Sequence, residues 1–283
     1  MQKGSGQTIT IVGLGLIGGS IAESLSGVAG MSLYGVDTNP RTVMDAMVSG
    51  LFEDVYGSLG EGADALKNSD IVIVATAVGA TYDTIARVYE IVGSGAIITD
   101  VASVKANLIG LSKRDGIRLV GGHPMAGTEK SGFGARVRGL FRGAKYIITP
   151  FATTCSGDLD TVVRLVLTLE SKPMVMAADE HDTLVARCSH MPHIVAYALS
   201  DFVLRDSDPY IAGKGFLDMI RIASSSPEFW SDVSSLNRHK VVRELSGLIQ
   251  SLDEYKNMIE GCDNNALVKR LRQSKQKRDE VIE

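Results

Sequence analysis

The side chains best suited to proton chemistry sit in a few short stretches. The first is 121-GGHPMAGTEKSG-132, where His123 follows a predicted strand in a glycine-rich loop that lets backbone and substrate approach closely. A histidine that titrates near neutrality can take a hydroxyl proton while hydride leaves the same carbon. The competing reading is a loop histidine that hydrogen-bonds only to backbone. Ser103, in 100-DVASVK-105 behind another predicted strand, is a candidate hydrogen-bond partner for His123, or a helix N-cap. The second stretch is 189-SHMPH-193, where His190 and His193 lie three apart on one face of a long predicted helix and Pro192 should kink or locally open it. The reading is a substrate-facing pair, against a core or interface role. Cys188 and His181 lie near enough in sequence to raise zinc, but the spacing matches no common ligand pattern, so no metal site is expected. The third stretch is 215-GFLDMIRIASSSPEFW-230, in which Arg221 is the lone cation among apolar and small residues. A guanidinium so placed pairs with a carboxylate, either internal (Asp218 or Glu228) or from a substrate.

Such chemistry needs a hydride acceptor, and the N-terminal residues supply a place for one. Gly13-Leu14-Gly15-Leu16-Ile17-Gly18 is a GxGxxG element between a predicted strand and helix. Its glycines permit a tight turn, close backbone approach to a pyrophosphate, and close helix–strand packing. The helix N-terminus then faces the phosphates. Asp37 ends the second predicted strand, where a carboxylate accepts ribose hydroxyls and repels a 2′-phosphate. NAD is therefore favoured over NADP, although Arg41, four residues on, leaves the second open. Thr76 and Ala77 end a buried strand where a cofactor crosses the sheet in such folds; plain strand-end packing is the alternative.

The elements that must position these groups follow from periodicity. Strands are predicted at 8–14, 32–37, 70–78, 96–103, 117–122, 145–150 and 172–176, with a helix over Pro40–Ser49. Alternation with helices indicates a Rossmann-type doubly wound α/β sheet. From Asp179 to Leu204, from Asn237 to Glu260 and over 265–283 the apolar spacing is helical. The expected organisation is an NAD-binding α/β domain over 1–177 and an all-α domain over 178–283 that binds substrate and dimerises, a self-contained monomeric bundle being the alternative. The 283 residues are 45% hydrophobic and 22% charged, with a net charge of −4, which offers no basic footprint for nucleic acid. No apolar run of membrane-spanning length and no signal-peptide pattern are found. Three scattered cysteines (Cys155, Cys188, Cys262) read as reduced thiols of a cytoplasmic protein.

Taken together, GLGLIGGS, DVASVK, GGHPMAGTEKSG, SHMPH and GFLDMIRIASSSPEFW resemble the prephenate/arogenate dehydrogenase family of tyrosine biosynthesis, in order from about Thr8 to Trp230. The resemblance implies a Rossmann-type domain, a helical dimerisation domain and an active site between them. It implies oxidation of prephenate, or of arogenate, at the hydroxyl-bearing ring carbon, with hydride passing to NAD and the ring carboxylate leaving as CO₂. His123 matches the family's proton acceptor, Ser103 the serine beside it and the nicotinamide, and His190 the histidine on the substrate side. Arg221 matches the arginine that grips a carboxylate, and Thr128 and Glu129 match residues near the cleft mouth. The chain departs from the family's GF[RK]D[TS][ST]R at Leu217, Met219 and Ile220, which puts side-chain recognition in question. His193, which some arogenate-preferring relatives replace with an apolar residue, favours prephenate. No chorismate mutase or ACT-like domain is expected in the chain, so any tyrosine feedback would act at the active site. Two rivals are another two-domain hydroxyacid dehydrogenase and a catalytically silent NAD sensor. The first typically carries a lysine on the first helix of its second domain, and none lies between Asp179 and Leu204. The second has no need of a proton acceptor.

Overall fold

The structure, a computed structural model, describes residues 6–205 and 212–282. Eight strands form one sheet: β1 (Gln7–Val12), β2 (Met31–Val36), β3 (Asp54–Tyr56), β4 (Ile71–Val74), β5 (Ile97–Asp100), β6 (Leu119–Pro124), β7 (Lys145–Pro150) and β8 (Lys172–Val175). Their order is β3-β2-β1-β4-β5-β6-β7-β8. Neighbours are parallel except β6 and β7, which run antiparallel. Helices α1 (Leu16–Leu25), α2 (Pro40–Met47), α3 (Ala63–Lys67), α4 (Thr81–Val92), α5 (Ile109–Ser112) and α6 (Ser156–Thr168) connect the strands. The chain order reverses between β1 and β4, the switch point at whose strand ends such sheets bind ligands.

Strand alternation builds the two faces. Ile71 and Ile73 of β4 enter one core cluster with Ile9 and Ile11, while Val72 and Val74 enter another with Ile85 and Val88 of α4. This accounts for the unbroken apolar run in the sequence, because both faces of the strand are covered. Pro40 at the start of α2 has no N–H to satisfy, and the Asn39 side chain caps the turn by accepting from the N–H groups of Arg41 and Thr42.

Beyond the sheet, α7 (Ala178–Val185) passes through a π-turn at Ala186–His190 into α8 (Met191–Leu204). The opening anticipated from Pro192 thus falls just before it, with the proline in the first turn of α8. Then come α9 (Lys214–Ile220), α10 (Pro227–Leu236), α11 (Arg238–Glu260) and α12 (Asn264–Ile282). The chain divides into two compact units, Met1–Arg238 and His239–Glu283. Within the first, Trp230 and Val233 of α10 pack on Val78, Ala102 and Val104 at the ends of β4 and β5. Gly79 permits that approach, since a Cβ there would lie 2.5 Å from Asp232 Oδ2. In the second unit, Arg270 pairs with Glu254 and Tyr255 with Ser274, and Val242, Ile249, Leu252, Ile259, Val268 and Leu271 are exposed apolar side chains. No described helix is long and apolar enough to cross a membrane.

Two sequence expectations change. β3, three residues long, was too short for a period to reveal. His123 lies inside β6, paired with Ile147 of β7, and not in a loop beyond it. The preceding glycines serve strand packing: a Cβ on Gly121 would meet Thr149 Oγ1 at 2.1 Å, and one on Gly122 the Asp100 carbonyl at 2.5 Å.

Candidate active site

The glycine loop folds as its spacing predicted. Gly13 has φ +94°, and a Cβ there would sit 2.6 Å from the Ala75 carbonyl. A Cβ on Gly18 would meet the Gly13 carbonyl at 2.0 Å. Both glycines are therefore required by the fold itself. At Gly15 a Cβ would meet nothing within 4 Å, so its backbone borders open space at the start of α1. No side chain caps that helix and its first turn holds no acid, which leaves the N–H groups of Leu16 and Ile17 and the positive dipole end for phosphate oxygens. Asp37 secures the loop: its carboxylate accepts from Leu14 N at 2.7 Å and from Asn39 N at 2.8 Å. Lone pairs remain on both oxygens for ribose hydroxyls. Arg41 points its charge along α2 toward Asp45, 4.0 Å away. Thr76 has a buried hydroxyl without a partner and Ala77 is exposed at the β4 end. These residues fit a dinucleotide.

Beyond the ends of β5 and β6 lies a buried polar cluster. His123 Nδ1 is 2.9 Å from His181 Nε2, and His181 Nδ1 is 2.7 Å from Asp182 Oδ1. Asp182 is tied to the sheet by the N–H groups of Lys105 (2.9 Å) and Ala106 (2.8 Å). Lys105 is fully buried and pairs with buried Asp100, whose carboxylate also accepts from the N–H groups of Ala102 and Gly122. Burial first, then coupling to the His181 imidazole and the Lys105 charge, holds the His123 imidazole well below the usual histidine range. Burial likewise lowers His181, against the pull of Asp182.

His190 closes the cluster from the π-turn. The Asn237 amide donates to the Asp182 carbonyl at 2.8 Å and lies 3.3 Å from His190 Nδ1. A carbonyl only accepts, so the amide's NH₂ faces both atoms, and His190 Nδ1 is the lone-pair side. Its Nε2 then carries the proton; no side-chain or backbone group meets it in full hydrogen-bond geometry, although the Ser103 backbone beside His190 favours its protonated form. Burial drives the His190 pKa down to about 4 although Asp182 opposes it. Ser103 is buried with an unpartnered hydroxyl, and the hydrogen bond to His123 expected from sequence is not formed. Nor does Ser103 cap a helix; Lys105 stands at the start of the following turn.

His193 stacks on Trp230 with centroids 3.6 Å apart, and its Nδ1 bonds to the Ser189 carbonyl at 2.8 Å. Trp230 also meets the His190 ring edge-on, and its buried indole N–H has no partner. Burial lowers the His193 pKa, and the exposed Arg221 nearby adds to that; among the described residues Arg221 forms no ion pair with Asp218 or Glu228. Thr128 and Glu129 stay exposed on the loop after β6, where Thr128 Oγ1 accepts from Lys130 N. A groove of about 580 Å³ lined by Ile194, Tyr197, Trp230 and Ser234 contains none of His123, Ser103 or Arg221. Of the orphaned buried polar atoms, those of Ser103, His190 and Thr76 lie outside that groove, while those of Trp230 and Ser234 line it.

Residues 21–175 match the nucleotide-binding domain of prephenate dehydrogenase and residues 177–273 its dimerization domain. The chain belongs to the prephenate dehydrogenase family. It is 33% identical to the prephenate dehydrogenase of Bacillus subtilis (strain 168), over 96% of this chain and 75% of that protein. The crystal structure of prephenate dehydrogenase from A. aeolicus, in complex with hydroxyphenyl propionate and NAD+, superposes with a TM-score of 0.91 at 34% identity, covering 99% of this chain and all of that one. Synechocystis arogenate dehydrogenase follows at TM-score 0.82 and 28% identity, covering 97% of this chain and 100% of that one. NAD is the cofactor that the nucleotide-binding domain and the A. aeolicus complex point to.

Sequence reasoning missed Lys105, Asp100, Asp182, Asn237 and Trp230, and weighed His181 only as a zinc candidate. The partners of His123 lie 58 residues away in sequence, and no periodicity reports such a contact. The one available signal was adjacency: His181-Asp182 is a histidine beside a carboxylate on a helix.

Proposed function

We propose that this chain is an NAD-dependent prephenate dehydrogenase, converting prephenate to 4-hydroxyphenylpyruvate and CO₂. The single observation that carries the reading is His123, a neutral imidazole held by its Nδ1 at the end of β6, in a chain of this family. NAD, when bound, supplies the hydride acceptor. His123 takes the ring-hydroxyl proton as hydride leaves the carbon that bears it, and loss of the ring carboxylate completes aromatisation. Aromatisation drives the reaction, so the protein's task is orientation and proton acceptance; one placed acceptor is worth roughly 10²–10⁴-fold. Ser103 Oγ and the His190 Nε2–H are the unpartnered polar atoms offered to the substrate beside it. Arg221, which forms no ion pair with Asp218 or Glu228 among the described residues, takes a substrate carboxylate, and a guanidinium does so bidentately. His193 and the loop residues Thr128 and Glu129 border the cleft. Leu16, Ile17 and the glycine loop hold the pyrophosphate, Asp37 the ribose, and Thr76 and Ala77 the crossing at the β4 end.

We further propose the division of labour expected from sequence, with residues 1–177 binding NAD and 178–283 binding substrate and forming a homodimer. The match to a dimerization domain and the exposed apolar residues on α11 and α12 support it. The exposed free thiols of Cys155, Cys188 and Cys262 accord with a cytoplasmic enzyme.

The test is formation of reduced nicotinamide with prephenate and with arogenate, each with NAD and NADP. Activity with prephenate and NAD is expected, and no reduction in any combination would refute the dehydrogenase reading. Activity with arogenate alone would move the assignment to the Synechocystis-like chemistry, for which Leu217, Met219 and Ile220 would then be the first positions to change.

A further inference from the structure

We propose that His181 and Asp182 are positioning residues that hold His123 in the tautomer whose bare Nε2 accepts the substrate's hydroxyl proton. The inference rests on the role of His123 just proposed, and it derives from three contacts in series. Asp182 accepts two backbone N–H bonds, from Lys105 and Ala106, on its two oxygens. A carboxylate so held is ionised and can only accept, and its pKa lies below the usual range. His181 Nδ1, 2.7 Å from Asp182 Oδ1, must therefore carry a proton. His181 is fully buried and burial lowers its pKa, so it is neutral and its Nε2 is a lone pair. That lone pair faces His123 Nδ1 at 2.9 Å, with the two rings edge-on at 77°. His123 Nδ1 must donate, and a neutral imidazole that donates from Nδ1 is bare at Nε2.

The tautomer matters because free imidazole side chains favour the opposite form, with the proton on Nε2. In that form Nε2 could donate to a hydroxyl but could not take its proton. The relay also accommodates the charge that arrives. When His123 gains the substrate proton at Nε2, its Nδ1–H strengthens its bond to His181, and the positive charge is drawn toward the Asp182 carboxylate. Asp100 and Lys105, the other charged groups beside the cluster, pair with each other and leave Asp182 to serve His181, while Lys105 still disfavours charge on both imidazoles. The logic is that of the Asp–His pair in hydrolytic triads, with one imidazole inserted.

The direct test needs no substrate. Long-range ¹H–¹⁵N correlation spectra of the histidine rings should show His123 protonated at Nδ1 and bare at Nε2 in the wild type, reversed in His181→Leu, which leaves His123 Nδ1 without its acceptor. The kinetic test compares His181→Gln with His181→Leu. Glutamine can still accept from His123 Nδ1 through Oε1, whereas leucine cannot. With prephenate and NAD, His181→Leu should lose about 100-fold or more in kcat, His181→Gln should recover most of that, and both should keep KM and NAD affinity within about twofold. NAD affinity serves as the check that each variant is folded. A wild-type His123 protonated at Nε2, or equal kcat for the leucine and glutamine variants, would overturn the relay. Absence of any wild-type turnover would instead refute the enzyme assignment, and the spectra would still decide the tautomer.

Discussion

His190 makes a quantitative test of how the site is built. Its imidazole is fully buried, accepts from Asn237 and has a pKa of about 4 in the folded protein. An unfolded histidine titrates near 6.5, so the shift is about 2.5 pH units, and at 1.36 kcal/mol per unit its full weight is about 3.4 kcal/mol. Between the two values the unfolded chain binds a proton that the folded chain refuses. Stability therefore rises with pH across that window, is complete above about pH 6.5, and is lost on acidification toward about pH 4. For one such site, going from pH 7 to pH 5 removes about 2 kcal/mol. The assay is urea unfolding of the wild type and of His190→Gln at both pH values, at one protein concentration because the stability of the proposed homodimer would depend on it. The wild type should lose stability on acidification, and the variant should lose about 2 kcal/mol less. Glutamine is chosen because its carbonyl can still accept from Asn237. If both proteins lose the same amount, His190 is not a neutral buried donor and its role toward the substrate falls with it.

Three further outcomes are expected. His123→Asn should keep NAD and substrate affinity but lose about 10²-fold or more in kcat; a kcat near wild type in steady-state assays would remove His123 from the chemistry. Arg221→Ala should chiefly raise KM for prephenate, by roughly 10- to 100-fold for the loss of a charge-assisted pair, and an unchanged KM would make Arg221 a surface residue only. Asp37→Ala should weaken NAD binding and narrow the NAD/NADP ratio measured by kcat/KM. Because Asp37 also anchors Leu14 N and Asn39 N, some thermal stability should be lost as well; an unchanged cofactor ratio would disprove contact with the ribose.

The sheet and its cofactor loop were legible because their signals are local. The glycine spacing, the carboxylate after β2 and the apolar runs each concern neighbours in sequence, and β7 was read to the residue. His123, His190 and Arg221 were legible as unusual residue types in unusual company. What surrounds them was not. Gly121 and Gly122 were read as the end of a strand over 117–122 leading into a glycine-rich loop, and they are glycine because β6 runs tightly between Asp100 and Thr149. Ser103 was offered as a partner for His123, whereas the ring contact that forms, at Nδ1, is with His181, delivered by a helix from a later part of the chain. Lys105 drew no reading of its own in DVASVK; only the closed fold shows it buried against Asp100. Buried polar partners are chosen by tertiary geometry, and their residue types alone do not disclose it.

The character of the base fits the reaction. A stronger base would be one stabilised in its charged form, which would require a carboxylate directly against His123. Here the nearest carboxylate is one imidazole removed, and burial together with His181 and Lys105 keeps His123 neutral. A neutral base leaves the hydroxyl proton's destination empty, which is the condition for accepting it as hydride departs. It also keeps fixed positive charge off the atom nearest the reacting carbon. That matters because oxidation withdraws electrons from this carbon, and a cation there would oppose hydride loss at short range. The arrangement is tolerable only where the ring's aromatisation drives proton transfer to a weak acceptor. A site built on this cluster is therefore matched to a substrate that becomes aromatic. An ordinary alcohol, whose oxidation lacks that drive, should be turned over poorly by the same residues.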